Sequence, residues 1–304
     1  MNLSPRPYTG DTDLKKIKTL LTEGRLSGLP GYIHIGDIDW WIYYDPHNEG
    51  HSEVIWLWED EAGTLLGWLW INVARYNYSM AVHPSVRGGQ VEAAMIDWAD
   101  TRLSPAAEAA QKPVTAEFIS TNDKSCIALL EQRGYTIEQA TMVGFEQYLD
   151  STLPEPSLPD GFTFLDAMEE AYAEKRADVH FNSFNPSRMT ADYYRSFMLA
   201  PGYDPTLDVV IIAPDGRFAA FAMAWIDPVT KIGNFEPVGT RNEFQRRGLG
   251  RAALYEGMRR MRDRGMKTAI VGTGATNAGN IAFYESAGFS QVERRSNFLK
   301  PPSS

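Results

Sequence analysis

Hydrophobic and polar positions along this chain follow two periods, and the C-terminal half shows them most regularly. Alternation with β-branched and aromatic residues predicts strands over 162–165, 207–213, 218–226, 231–240, 268–272 and 290–299. The helical period predicts helices over 167–181, 190–199, 252–264 and 277–287. Leu254, Met258 and Met261 stand at i, i+4 and i+7, so one face of the third helix is apolar. Gly265 and Gly288 close their helices as left-handed caps, and Thr190 is placed to cap another at its start. Pro214-Asp215-Gly216 turns the hairpin between 207–213 and 218–226. In the N-terminal half the same reading predicts helices over 13–23 and 91–103 and strands over 38–44, 54–59, 65–74 and 78–82. Trp56 and Trp58 share one strand face, as do Trp68 and Trp70, which predicts a packed sheet face.

Between the halves lies 151–160, with Pro154, Pro156 and Pro159, a stretch that suits neither a helix nor a central strand. It divides the chain into domains 1–150 and 161–304. The halves repeat each other faintly. Residues 82–90 end a strand and open a helix as 238–250 do, and 128–135 runs like 282–289.

Composition narrows the class. The 304 residues, 43% hydrophobic and 22% charged, suit a globular protein of two ordinary domains. No apolar run reaches membrane-spanning length, and the first residues lack the apolar core of a signal peptide. One cysteine, Cys126, allows no internal disulfide, so a reducing cytoplasm is the expected compartment. A net charge of −10 argues against nucleic acid as a general partner and suits a cationic or amine substrate. No membrane partner is expected, and the chain is expected to be a monomer or a homodimer. His34, His47, His51, His83 and His180 form no ligand spacing; Pro46, Asn48 and Gly50 spoil the His47–His51 pair, so no metal is expected.

One stretch stands against the acidic background: Gln245-Arg246-Arg247-Gly248-Leu249-Gly250-Arg251, between a predicted strand and the helix over 252–264. Helix N-terminal N–H groups lack intrahelical partners and favour an anion, and glycines let one approach. With Arg246, Arg247 and Arg251 around it, the site predicts a phosphorylated ligand. Gly248 to Ala253 also fits G-x-G-x-x-A. However, Gln-Arg-Arg separates it from the strand, and 268–273 lacks the acidic residue a dinucleotide fold places there. No Gly-Lys-Ser/Thr follows, which excludes a P-loop.

The pattern Gln/Arg-x-x-Gly-x-Gly/Ala, filled by Gln245, Gly248 and Gly250, resembles the signature of the GNAT superfamily of acyl-CoA-dependent N-acetyltransferases. Residues 277–289, with Asn277, Ala282, Tyr284, Gly288 and Phe289, resemble its second signature. The resemblance implies an α/β fold with a mixed, splayed sheet, here as two tandem GNAT-type domains, and acetyl-CoA as cosubstrate. It implies that the N–H groups of Gln245 to Arg251, with Leu249 among them, hold the pyrophosphate of coenzyme A. Phe235, Val238 and Thr240 would line the pantetheine arm, with Asn277, Asn280 and Phe283 contributing from the second signature. A backbone N–H at Val238 would meet the thioester oxygen. Tyr284 would protonate the departing thiolate. Glu236 is the candidate base, two residues before Val238 and expected on the same strand face, with burial raising its pKa.

The N-terminal half departs from this pattern. Counted from Arg87, its two glycine positions hold Gln90 and Glu92, and the position of Tyr284 holds Leu130. It is therefore expected to keep the fold without binding acetyl-CoA, with packing on its partner domain and one wall of the acceptor site as its role. The expected reaction is acetyl transfer to a primary amine of a small molecule by direct attack in a ternary complex. Two other readings stay open at this point: an inactive acyl-CoA-binding sensor, and an acetyltransferase of protein lysines or N-termini. The acceptor pocket is expected from 167–199 and 294–301.

Overall fold

The computed structural model describes residues 4–44, 50–150, 152–184 and 187–302. The N-terminal half runs β1 (Arg6–Pro7), α1 (Asp11–Leu26), α2 (Ile35–Tyr43), α3 (His51–Val54), β2 (Ile55–Glu59), β3 (Leu65–Asn72), β4 (Asn77–Val82), α4 (Gln90–Ala109), β5 (Val114–Ser120), α5 (Lys124–Glu131) and β6 (Thr136–Tyr148). The C-terminal half runs β7 (Thr163–Phe164), α6 (Ala173–Phe181), α7 (Ala191–Met198), β8 (Asp208–Ile212), β9 (Phe218–Asp227), β10 (Ile232–Thr240), α8 (Leu249–Asp263), β11 (Thr268–Gly274), α9 (Ala278–Ser286) and β12 (Ser290–Lys300). Of the His47–His51 spacing discounted as a metal site, His47 lies outside the described residues, with Pro46 and Asn48 beside it, as does Ser151. Among the described residues no helix is long and apolar enough to cross a membrane.

All twelve strands form one mixed sheet in the order β1-β2-β3-β4-β5-β12-β6-β11-β10-β9-β8-β7. Its middle is an exchange. The last strand of the C-terminal half, β12, pairs with β5 of the N-terminal half, and β6 of the N-terminal half pairs with β11. The two exchanged strands pair with each other, antiparallel. Each half therefore completes the other's sheet, and the chain has no edge at its centre. The sequence separates two halves near 150, but their strands interlock across that point.

Two parallel contacts mark each half's splayed point. In the C-terminal half β10 runs beside β11 only from Ile232↔Thr268 to Phe235↔Val271, while it stays on β9 as far as Thr240. A bulge in the β9 ladder between Phe235 and Val238 coincides with Pro237, which has no N–H to offer. In the N-terminal half β4 and β5 pair only at Asn77↔Thr115 and Tyr78↔Ala116, although β4 continues to Val82. Each half thus contains a wedge between two strands that start together and part.

Helices cover both faces. On the face that carries α8 and α9, Leu254, Met258 and Met261 are fully buried against the sheet, as their spacing predicts. Phe235 enters the same core, its ring facing Gly257 where a Cβ would come within 2.6 Å. Gly265 and Gly288 take positive φ of 81° and 95°, as the predicted left-handed caps require. Trp56 and Trp58 pack on Trp98, and Trp68 and Trp70 lie beside Trp41, which makes them packed sheet faces.

The predicted strand over 38–44 is corrected: those residues form α2. Its start is set by a capping box, in which the His34 ring accepts from the Gly36 N–H and Asp37 accepts from the His34 N–H. Ile38 and Ile42, four apart, face the N-terminal core. Trp40 and Tyr43 face the C-terminal one, where Trp40 stacks on Phe197 at 4.0 Å. Such an aromatic pair contributes about 1 kcal/mol beyond its buried area. The helix thus joins the two cores. Its residues read as a strand because the sequence Ile-Asp-Trp-Trp-Ile-Tyr alternates apolar bulk well enough for either period.

Candidate active site

The turn before α8 builds an anion site from backbone. A short helical turn at Asn242–Phe244 ends at Gln245, Arg246 takes a positive φ of 63°, and Gly248 caps α8 at φ 80°. Among the described residues no group accepts from the N–H groups of Gly248, Leu249, Gly250 or Arg251; the first bonded one is Ala252, to the Gly248 carbonyl. Arg246, Arg247 and Arg251 are exposed, and among the described residues none of them is in an ion pair. Arg247 lies over the Phe244 ring at 5.5 Å. A cavity of about 470 Å³ opens beside Arg247, Gly248 and Arg251, closed on its far side by Ser157, Leu158 and Pro159 of the interdomain stretch. The donor set suits a pyrophosphate.

The predicted residues do not all act through side chains. Leu249 is buried in the core, so only its N–H faces outward. The Gln245 amide turns back to the Thr240 carbonyl at 3.2 Å and Asn242 Oδ1 at 3.0 Å, holding the turn closed. Gly250 packs where a Cβ would lie 3.0 Å from Thr240 Oγ1 and 3.3 Å from the Phe283 ring, which brings these three residues together. Asn277 caps α9 by accepting from the Asn280 N–H at 3.0 Å, and the Asn280 amide donates to Thr273 at 3.1 Å.

At the wedge the bulge changes which way each side chain points. Val238 pairs with Ala222 and Thr240 with Ala220, and both partners face the core under α8. Glu236 instead faces the opposite side, where it lines a cavity with Asp37 and Trp40 of α2. The expectation that Glu236 and Val238 share a face is therefore corrected; the extra residue of the bulge inverts the alternation. Arg241 donates its N–H to Ala219 on β9, so alternation turns the N–H groups of Thr240 and Val238 away from β9, toward the open wedge.

Tyr284 lies on the α8 and α9 side, buried among Phe145, Phe283 and Phe289 at ring distances of 5.8, 5.2 and 6.0 Å. Among the described residues its hydroxyl has no hydrogen-bond partner. Burial, and then the carboxyl of Glu236, push its pKa up, so the group stays protonated. Burial and the neighbouring Asp37 push the Glu236 carboxyl up to about 8. The Glu236 carbonyl accepts from Trp225 Nε1 at 2.8 Å, which fixes the backbone at the bulge. The two candidate acid–base groups thus sense each other from opposite sides of the sheet, across the point where its strands part.

The cavity on the Glu236 side measures about 460 Å³. Its walls come from both halves: Arg25, Asp37, Trp40, Trp41 and Phe118 from the N-terminal half, with β6, β10, β11 and β12. None of the described residues between 167 and 199 lines it; α6 and α7 pack on each other and α6 packs on β9 instead. Of the two segments expected to form the acceptor pocket, 167–199 is absent from the walls of this cavity and Arg295 from the last strand is present. The capping signal His34-x-x-Asp37 was the one local hint of the wall that sequence reasoning missed.

The corresponding place in the N-terminal half is filled. Its helix opens one residue earlier, because six steps separate the caps His83 and Gly89 where seven separate Arg241 and Gly248. Counted from Arg87, the two glycine positions hold Gln90 and Glu92, and the buried residues Val91, Met95, Ile96, Ala99 and Leu103 of α4 fall in register with Leu249, Ala253, Leu254, Gly257 and Met261 of α8 on that count. The Glu92 carboxylate accepts from the Gly88 N–H at 2.6 Å, occupying the place an anion would take. Arg87 is paired with Asp123, and the Tyr32 hydroxyl donates to the Val82 carbonyl at 2.9 Å, inside the wedge. About 30 Å³ remains between them. Glu92, Asp123 and Cys126 lie close together, and Arg87 supplies the cation that faces their carboxylates.

With this geometry in hand, the sequence profile of the Acetyltransferase (GNAT) family matches residues 166–289. Residues 166–289 are thus a GNAT-family region. The matched GNAT region contains the anion-binding turn, β10 and Tyr284. A tandem GNAT protein from the clavulanic acid biosynthesis pathway shares the fold with a TM-score of 0.68 at 13% identity, covering 99% of each chain. Mycothiol acetyltransferase of Thermomonospora curvata is 28% identical over 157 residues, covering 50% of this chain and 52% of that protein. The [ribosomal protein bS18]-alanine N-acetyltransferase of Salmonella typhimurium is 36% identical over 87 residues, covering 29% of this chain and 57% of that protein. The chain spans about half the length of these curated relatives.

Proposed function

We propose that this chain transfers an acetyl group from acetyl-CoA to the primary amine of a small molecule, with chemistry confined to residues 161–304. The observation that carries this is the placement of Glu236 and Tyr284 on opposite faces of one wedge. Glu236 takes the proton of the ammonium from the acceptor side. The freed amine attacks the thioester carbonyl, so that a C–N bond forms. The N–H of Val238 donates to the developing oxyanion. The C–S bond breaks, Tyr284 gives its proton to the leaving thiolate, and the second proton shed by the attacking nitrogen returns through water to the Tyr284 phenolate, yielding the amide and free coenzyme A. Gly248 to Arg251 and the three arginines hold the pyrophosphate, while Thr240, Phe283, Asn277 and Asn280 flank the arm. The volume of about 460 Å³ between the halves suits a small molecule as acceptor. Residues 1–150 carry no coenzyme in this reading; they supply the acceptor wall and complete the sheet. The lone buried thiol of Cys126 suits a reducing compartment.

The test is release of free thiol from acetyl-CoA with a panel of small amines. A general base works only when deprotonated, so the rate is expected to be low below the Glu236 ionisation near 8 and to rise through it. Glu236→Gln should remove that limb and leave acetyl-CoA affinity unchanged. Free amines ionise near pH 10, so acceptors with two different amine pKa values separate the contributions. A limb that moves with the acceptor and survives Glu236→Gln would assign it to the substrate.

A further inference from the structure

The acceptor cavity contains two arginines that acetyl transfer does not use. Arg25 is in the last turn of α1 and Arg295 is on β12. Both reach the same loop: Arg25 Nε donates to the Ile33 carbonyl at 3.1 Å and Arg295 Nη2 to the Tyr32 carbonyl at 3.4 Å. The guanidinium groups thus hang from adjacent carbonyls, and both line the cavity. Arg295 is paired with Glu293 at 2.9 Å. Arg25 forms no ion pair among the described residues, and its two terminal nitrogens have no hydrogen-bond partner there. The carboxylate of Asp37 is already committed, one oxygen to the His34 N–H at 2.8 Å and the other to the Asn234 amide at 2.6 Å. Burial and then the nearby Arg295 disfavour the charge on Arg25 and outweigh the carboxylates of Asp37, Glu293 and Asp227, none of which pairs with it. A cation held in a recess beside a second cation is costly unless something anionic joins it.

We propose that Arg25, with Arg295 beside it, binds the anionic group of the acceptor, and that the acceptor is a primary amine carrying a carboxylate. This rests on reading the cavity as the acceptor site of the transfer reaction. The Trp40, Trp41 and Phe118 walls fit the apolar body of such a molecule, and Glu236 faces its amine. An α-amino acid with an apolar side chain has this chemistry. The two poles of the zwitterion then find opposite charges within one cavity, which is a specificity that a plain alkyl amine does not satisfy.

Binding is measured by isothermal titration of apolar amino acids and their carboxamides, with coenzyme A present and absent, and thiol release is followed separately. Charge-assisted hydrogen bonds to a partly desolvated arginine favour a carboxylate over its amide by about ten- to a hundredfold. At least one acid is expected to bind that much more tightly than its amide. Arg25→Gln should erase the preference while leaving coenzyme binding unchanged, and Arg25→Lys, which keeps the charge, should restore part of it. Thermal melting checks that both variants fold. Acids and amides that bind alike across the panel, acids that do not bind at all, or an equal loss for both in Arg25→Gln would overturn the proposal. Preferential binding of acids through Arg25 without thiol release would instead uphold the anion subsite and defeat the transfer reading.

Discussion

Tyr284→Phe is expected to lower the turnover of a true acceptor by at least about a hundredfold, the lower end of what general acid–base catalysis supplies. The acetyl-CoA KM should change little, because the anion site at Gly248 to Arg251 is untouched. The hydroxyl has no protein hydrogen-bond partner among the described residues, so its removal breaks no bond that folding made. The ring remains packed on Phe145, Phe283 and Phe289. Melting temperature should therefore stay close to that of the native protein, which separates a chemical role from a packing one. Pre-steady-state measurement of the transfer step makes the comparison directly. Turnover within a few-fold of wild type would make Tyr284 a core residue, and a water would then be the better candidate for the acid.

Gly250→Glu is expected to weaken acetyl-CoA binding by more than about a hundredfold, through the lost contact space and through a carboxylate placed among phosphate donors. A Cβ at this position already crowds Thr240 Oγ1 at 3.0 Å and Phe283 at 3.3 Å. The new carboxylate would also be drawn to the free N–H groups of the turn. The N-terminal half uses the same device natively, with Glu92 on the Gly88 N–H. Gly248→Glu should act similarly, because φ is 80° there and a side chain is strained whatever the space. Isothermal titration reads both variants; near-native affinity in both would move the coenzyme site elsewhere.

The turn and the second signature were legible in the sequence because their chemistry is local. Gly248, Gly250, Asn277 and Tyr284 act within a few residues of where the chain places them, and most of the helices and hairpins around them follow simple periods. The proposed base, Glu236, was legible as a residue but not as a direction. Pro237, which has no N–H to give a ladder, was the only local mark of the bulge that turns Glu236 away from Val238, and the period-2 reading passed over it. The acceptor wall was illegible for a different reason. Asp37, Trp40 and Trp41 reach the site because α2 bridges two cores, and Arg25 reaches it from the end of α1, some two hundred residues from Glu236 in sequence. Strand exchange was illegible as well. β6 and β12 each satisfy their alternation with any partner, and only the assembled sheet decides that the partner comes from the other half.

The central claim is that one of two equivalent wedges is open to the coenzyme and the other is closed by Tyr32, Arg87 and Glu92. The stoichiometry of acetyl-CoA binding tests it most directly. Titration of the intact chain should give one acetyl-CoA per polypeptide, and Gly250→Glu should remove that single binding event entirely. Two equivalents per chain, or one that persists undiminished in Gly250→Glu, would contradict the account.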